Sequence, residues 1–402
     1  MKKPEIVAPV GNHAMLAAAL HAQATAVYFG VTQLNMRITA ANFEISELKN
    51  IVTTCHAKSA KAYLTLNSIV YDHELEKVKA ILREAKKAGI DAVVCWDFAV
   101  IQEAHNLKIP VHISTQASVS NSESASFFQK LGAKRIILAR ECSLDQIKEI
   151  KKKCPELELE CFIHGAMCVS ISGRCFLSQD MFKKSANRGD CLQPCRRPYT
   201  VYNHETRTEL SVYNDFILSP KDLCTLPFID RLIEAKIDAF KIEGRSKSPE
   251  YVSEVVSCYK KAIDAYYQRR FNKQLVERLM QKLKSVYNRG FSTGFYLGAP
   301  TSDDFTNAEG GKATEVKEYV GIVKNFYPKI NVAEIRIESK GIKKGDELRI
   351  QGSTTATFKQ KIRSMEKNHT KITAAKKGER VAIQVNQLVR KNDRVFLVIA
   401  AK

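Results

Sequence analysis

Up to about residue 300 the chain alternates short β-rich runs with helical stretches, and this alternation constrains the fold more than any other feature. The runs are EIVAPV, AVYFG, AYLTLN, DAVVCWD, VHISTQ, RIILAR, LELECFIH and AFKIEG. Between them lie amphipathic segments such as HELEKVKAILREAKKAG, whose apolar residues recur at helical spacing before a glycine stop. Eight strands alternating with helices point to an α/β chain folded as a (β/α)8, TIM-like barrel. The rival is a doubly wound open sheet, but no Gly-rich phosphate loop follows the first run.

In such a barrel the carboxyl ends of the strands form the active-site face. Several runs end in polar or small residues: Gly30 with Asn35 and Arg37 soon after, Asn67, Asp97, Gln116, Arg140 with Glu141, His164, and Glu243 with Arg245. Each alone is equally well explained as a cap of the next helix. As an ensemble around one mouth they point to a site.

Between the seventh and eighth runs the pattern breaks. An irregular insertion over residues 165–226 holds several Gly and Pro, a hairpin-like stretch YTVYNHETRTELSVYN, and the cysteines Cys168, Cys175, Cys191 and Cys195. Their spacing is C-x6-C-x15-C-x3-C. Eleven cysteines in 402 residues are too few for a disulfide-stapled secreted scaffold. In a reducing compartment, clustered thiols are metal ligands or reactive groups more often than cystines. Structural zinc sites usually present two tight C-x2-4-C pairs, and only the second pair here fits. The open first pair leans towards an iron–sulfur cluster, which accepts ligands from wider loops. Cys224, at the edge of the insertion, is an alternative to Cys195 as the fourth ligand. Cys55, Cys95, Cys142, Cys154, Cys161 and Cys258 sit in apolar or helical contexts and read as buried thiols.

After NRGFSTGFYLG the composition shifts to a polar linker, residues 301–315, followed by short alternating strands over 316–402. Gly and Asn-Asp turns separate them, the outline of a small all-β barrel domain. This segment holds 20 basic and 8 acidic residues, net +12, against +8 for residues 1–315 and +20 for the whole chain. Such asymmetry favours a polyanionic partner, nucleic acid first among them, over a basic surface that serves only solubility. No apolar run approaches the ~20 residues of a membrane span. Glu5, Asn12 and His13 interrupt the one stretch that faintly resembles a signal peptide, so a cytoplasmic protein without a membrane partner is expected.

EIVAPVGNHAMLAAALHAQATAVYFGVTQLNMR, ECFIHGAMCVSISGRCFLS, SANRGDCLQPCRRPY and DAFKIEGRSKSPEYV resemble the peptidase U32 family. The resemblance covers essentially residues 4–300, and HGAMCVSISGRCFLS is close to the family signature. The basic C-terminal domain is similar in pattern to the second β-barrel of translational GTPases. The combination most resembles the prephenate-dependent branch that hydroxylates tRNA uridine-34 at carbon 5. The resemblance implies a [4Fe-4S] cluster on Cys168, Cys175, Cys191 and Cys195, prephenate as co-substrate and oxygen donor, and the tRNA anticodon region as partner. His164, Glu243 and Arg245 are the catalytic candidates. Arg174, Arg188 and Arg196, close to the cysteines, suit bidentate recognition of a carboxylate or an RNA phosphate, or else plain surface ion pairs. In the β-domain Phe326, Tyr327 and Phe358 are candidates to stack on bases, with core packing as the plainer role.

Two other readings follow from the same family. One is a collagenase-like peptidase, although the chain has no H-E-x-x-H motif and no G-x-S-x-G elbow. A Cys168–His164 nucleophile pair would compete with cluster ligation. The other is the sister branch that hydroxylates a ribosomal RNA cytidine.

Overall fold

The computed structural model describes residues 2–38, 40–171, 174–210 and 215–401. Eight parallel strands pair in chain order: β1 (Glu5–Pro9), β2 (Ala26–Phe29), β3 (Lys61–Thr65), β4 (Ala92–Cys95), β5 (Val111–Ile113), β6 (Ala133–Ile137), β7 (Glu158–Gly165) and β8 (Ala239–Ile242). Strand β8 bonds to both β7 and β1, which closes the barrel. The strands are buried on both faces, as AVYF in β2 shows. That is why they read as near-continuous apolar runs rather than alternating ones.

The helices cover the outside with apolar stripes. In Leu75–Ala88 the residues Val78, Ile81, Leu82 and Ala85 are buried at helical spacing, and Gly89 ends the helix with φ +82°. Only glycine takes that left-handed conformation without steric cost. Asn12, Asn121 and Ser143 cap helices by accepting a backbone N–H two or three residues into the first turn.

The lower interior of the barrel is filled by charge. Arg135 of β6, 1% exposed, bonds Glu5 (2.8 Å), Glu158 (2.6 Å) and Glu160 (3.1 Å). Lys241 of β8 bonds Glu160 at 2.7 Å, and Lys61 bonds Glu5.

The insertion before β8 stays at the carboxyl end of the strands. It contains the short helix Leu177–Phe182, a hairpin of Val201–Asn203 with Thr208–Leu210, and the strand Asp222–Cys224. The last four residues of the expected hairpin stretch, 211–214, lie outside the described residues. Asp222–Cys224 returns antiparallel to β7, with Cys224 opposite His164.

The C-terminal all-β domain is an antiparallel half-barrel of eight strands, from Glu315–Tyr327 to Arg394–Ala400. Its core, including Val320, Ile335, Ile350, Val381 and Val395, is separate from that of the α/β barrel. Phe358 belongs to this core and Phe326 packs against it, whereas Tyr327 is exposed. Lys317 joins the two parts through Glu250 at 2.6 Å. Among the described residues no helix is long and apolar enough to cross a membrane.

Candidate active site at the barrel mouth

A cavity of about 220 Å³ opens at the carboxyl ends of the strands, between the barrel and the insertion. Its walls include Tyr28, Thr65, Asn67 and Gln116 from the barrel and Cys168, Cys175, Cys191 and Cys195 from the insertion. The chain therefore carries the four clustered thiols to one place. All eleven cysteines are free, so no cystine competes for them.

The loop backbone is shaped around the sulfurs. Ser170 N–H donates to Cys168 Sγ, Leu177 N–H to Cys175 Sγ and Gln193 N–H to Cys191 Sγ, each at 3.4 Å. In all three the donor lies two residues beyond the cysteine, a turn that aims peptide dipoles at sulfur. Hydrogen bonds to ligating sulfurs tune a metal centre held there. Arg196 adds positive charge beside Cys195, whose thiol burial raises above its ordinary value. Among the described residues no three His, Cys, Asp or Glu side chains are close enough to hold a metal ion. Cys224 is not in this wall. It is buried, receives Tyr259 Oη at 3.8 Å, faces Met280 Sδ at 3.7 Å, and its thiol is pushed up to about 11 by burial.

Glu243 and Arg245, just beyond β8, both line the cavity. Glu243 pairs with Arg37 at 3.2 Å and with Arg140 at 3.6 Å. Burial alone would raise its carboxyl, but Arg37, Arg140 and Arg245 together hold it below its ordinary value. Arg245 donates to Asn35 Oδ1 (2.9 Å) and Thr65 Oγ1 (3.3 Å), and burial lowers it to about 10, still a cation at neutral pH. A Cβ at Gly30 would collide with this guanidinium and with Asn35, so the position just after β2 favours glycine. Arg196 also lines the cavity and donates to Ser219 Oγ (3.0 Å), Pro220 O (2.9 Å) and Met167 O.

A family model for peptidase family U32 matches residues 11–306. The chain belongs to peptidase family U32. It is 43% identical to an uncharacterized protease of Methanocaldococcus jannaschii, covering 98% of both chains. With a protein named collagenase from Porphyromonas gingivalis it shares 39% identity over 98% of this chain and 97% of that one. With tRNA hydroxylation protein P1 of Bacillus subtilis it shares 35% identity over 90% and 87% of the two chains.

Three expected site residues of this U32 chain stand elsewhere. His164 is turned away from the cavity and is enclosed by Tyr251, Tyr259 and Phe291, with ring centroids 5.5–5.9 Å away. The cause is a bulge. Phe162 pairs with Lys241, and both line the cavity, but the next pair is His164 with Ile242. The skipped residue reverses the alternation and sends His164 outward with Ile242. Burial drops its imidazole to about 3, so it stays neutral. A catalytic role at the mouth is therefore corrected to a packing role. Arg188 is committed to Glu74 (2.5 and 2.8 Å) and lies over Tyr71. Arg174 donates to Gln116 O and lies over Trp96 at 5.1 Å. Both brace the wall and are not among the residues lining it.

Arg37, Arg140 and Lys241 do face the cavity. The first two stood out as strand-end residues without an assigned role. Lys241 carried a signal that went unused: a lysine centred in the apolar run AFKIEG needs a buried anion, and Glu160 supplies it. Asp97 conforms to the plainer expectation and caps the following helix through Ala99 N.

Proposed function

We propose that this chain is an RNA-modifying enzyme that hydroxylates uridine-34 of tRNA at carbon 5. In this reading a [4Fe-4S] cluster is held by Cys168, Cys175, Cys191 and Cys195, and prephenate is the oxygen donor. The observation that carries it is the set of three sulfurs each receiving an N–H from two residues ahead, in one cavity wall with a fourth. An all-thiolate donor set suits soft metals, and a cluster with its own sulfides spaces thiolates more widely than a single ion does. The cluster would supply one-electron redox chemistry at the mouth.

The chain's own residues supply the rest. Among the described residues the cavity is lined by Arg37, Arg140, Arg196 and Arg245 and by a single carboxylate, Glu243, which pairs with Arg37 and Arg140, leaving an excess of positive charge. That excess suits a small dicarboxylate such as prephenate. Glu243 orients Arg37 and Arg140, and Phe162, Met36 and Met167 keep the walls apolar. The RNA substrate is supported by the relative named for tRNA hydroxylation and by the net charge of +20.

The relatives named collagenase and protease favour a second reading, a peptidase. A thiol nucleophile would need a histidine, and among the described residues none lines the cavity.

One experiment separates these. The protein purified without oxygen should be brown, and Cys→Ala at 168, 175, 191 or 195 should bleach it while Cys224→Ala does not. Mass spectrometry of nucleosides from a deletion strain should show tRNA without 5-hydroxyuridine derivatives. Colourless, iron-free protein with unchanged tRNA sinks the proposal, and a change confined to ribosomal RNA moves the substrate to a cytidine there.

A further inference from the structure

The insertion bearing the cysteines presents unusual apolar surface. Among the described residues Val169, Ile171, Phe176, Met181, Leu192 and Tyr202 are exposed there, Ile171 at 62% and Phe176 at 77%. Phe176 stands between Cys175 and Leu177, which both line the cavity, so its backbone passes along the rim while its side chain is open to solvent. The rim is internally tied: Arg174 N–H donates to Ile171 O at 2.8 Å, and Leu192 N–H to Ser178 Oγ at 3.1 Å. Its apolar side chains are thus held out on a braced loop.

The same segment carries cations with no carboxylate partner among the described residues. Arg197 lies over Phe182 at 4.7 Å, and Lys183 reaches only Asp180 O at 3.4 Å. Exposed apolar faces beside unanswered cations match single-stranded nucleic acid, whose bases stack and whose phosphates pair with positive charge. A protein partner fits less well, because the cores of protein interfaces are depleted in charge.

We propose that Phe176 is a stacking platform for unpaired RNA bases at the entrance to the cavity, with Lys183 and Arg197 on the flanking phosphates. The inference rests on the RNA-substrate reading above and adds the surface that guides a base to the thiol-lined wall. Base–aromatic stacking is tolerant of sequence, so the platform serves delivery, and choice of the base falls to the cavity.

The test uses the full chain and a hairpin RNA carrying 2-aminopurine in its loop. Stacking on Phe176 quenches the fluorophore. Phe176→Ala should remove most of the quenching and weaken binding about tenfold. Phe176→Trp should restore both, and the thermal midpoint should not move because the side chain is exposed. If the unaltered chain binds the hairpin and Phe176→Ala binds it equally well, the platform is wrong while the RNA reading stands. If the unaltered chain does not bind RNA, both fall. If Phe176→Ala instead converts a dimer to a monomer at unchanged RNA affinity, the rim is a self-association face and the platform is overturned.

Discussion

At the lower end of the barrel Arg135, Lys61 and Lys241 face Glu5, Glu158 and Glu160, whereas at the mouth only Arg37 and Arg140 pair with Glu243, and Arg196 and Arg245 line the same cavity without a carboxylate bonded to them. Below, each charge is answered at hydrogen-bond distance. Above, Arg245 and Arg196 spend their donors on neutral oxygens. A buried charge that is paired belongs to a finished structure. A surplus of one sign, kept around a cavity, is answered only when an anion arrives. Lys241 joins the two levels, bonding Glu160 while lining the cavity floor.

The sharpest way to break this contrast is Arg135→Met. Removing the hub leaves Glu158 without its cation and Glu160 with Lys241 alone, and losing one member of a buried ion network costs about 3–5 kcal/mol. Urea unfolding should register a drop of that order. A loss of less than about 1 kcal/mol would mean that water or proton uptake answers the carboxylates, and that the lower level is no more finished than the mouth.

Much of this layout was legible beforehand. Strands buried on both faces left eight apolar runs, and the surplus of small and polar residues at their ends marked the mouth. The thiol cluster was legible because its four members lie within 28 consecutive positions, 168–195. What spacing does not carry is partner choice across the chain. Arg188 looked available for a ligand, yet it closes on Glu74, 114 residues earlier. His164 looked like a strand-end site residue, and a single bulged residue turned it outward.

That bulge yields the second prediction. Folded, His164 takes up a proton only near pH 3, whereas an unfolded histidine does so near 6.5. Acid therefore favours the unfolded chain between these values, and stability is lost as pH falls below 6.5. At pH 5 the penalty is about 2 kcal/mol relative to neutral pH. His164→Phe should remove it, leaving a flatter stability–pH curve and an active enzyme. A variant as acid-labile as the parent would place the imidazole in contact with water, and a variant that folds but is inactive would return His164 to the chemistry.

The smallest effect on stability is expected at the mouth, and there the contrast is most exposed to refutation. Arg245→Met removes a buried cation whose nearest partners, Asn35 and Thr65, are neutral. Thr65 keeps its bond to Phe29 O, and Asn35 keeps bonds to Val31 O and Arg37 N. No carboxylate loses its hydrogen-bonded partner, because Glu243 retains Arg37 and Arg140. Relief of repulsion between guanidinium groups offsets the lost hydrogen bonds, so unfolding free energy should move by less than about 1 kcal/mol in either direction. If prephenate is the ligand proposed for this cavity, its affinity should nonetheless fall about tenfold or more, since a charge-assisted contact is worth roughly 1.5–3 kcal/mol. Calorimetric titration and urea unfolding of one preparation check both halves. A variant that binds prephenate normally but unfolds several kcal/mol earlier would show Arg245 to be a structural cation like Arg135, and the division between the two levels would disappear.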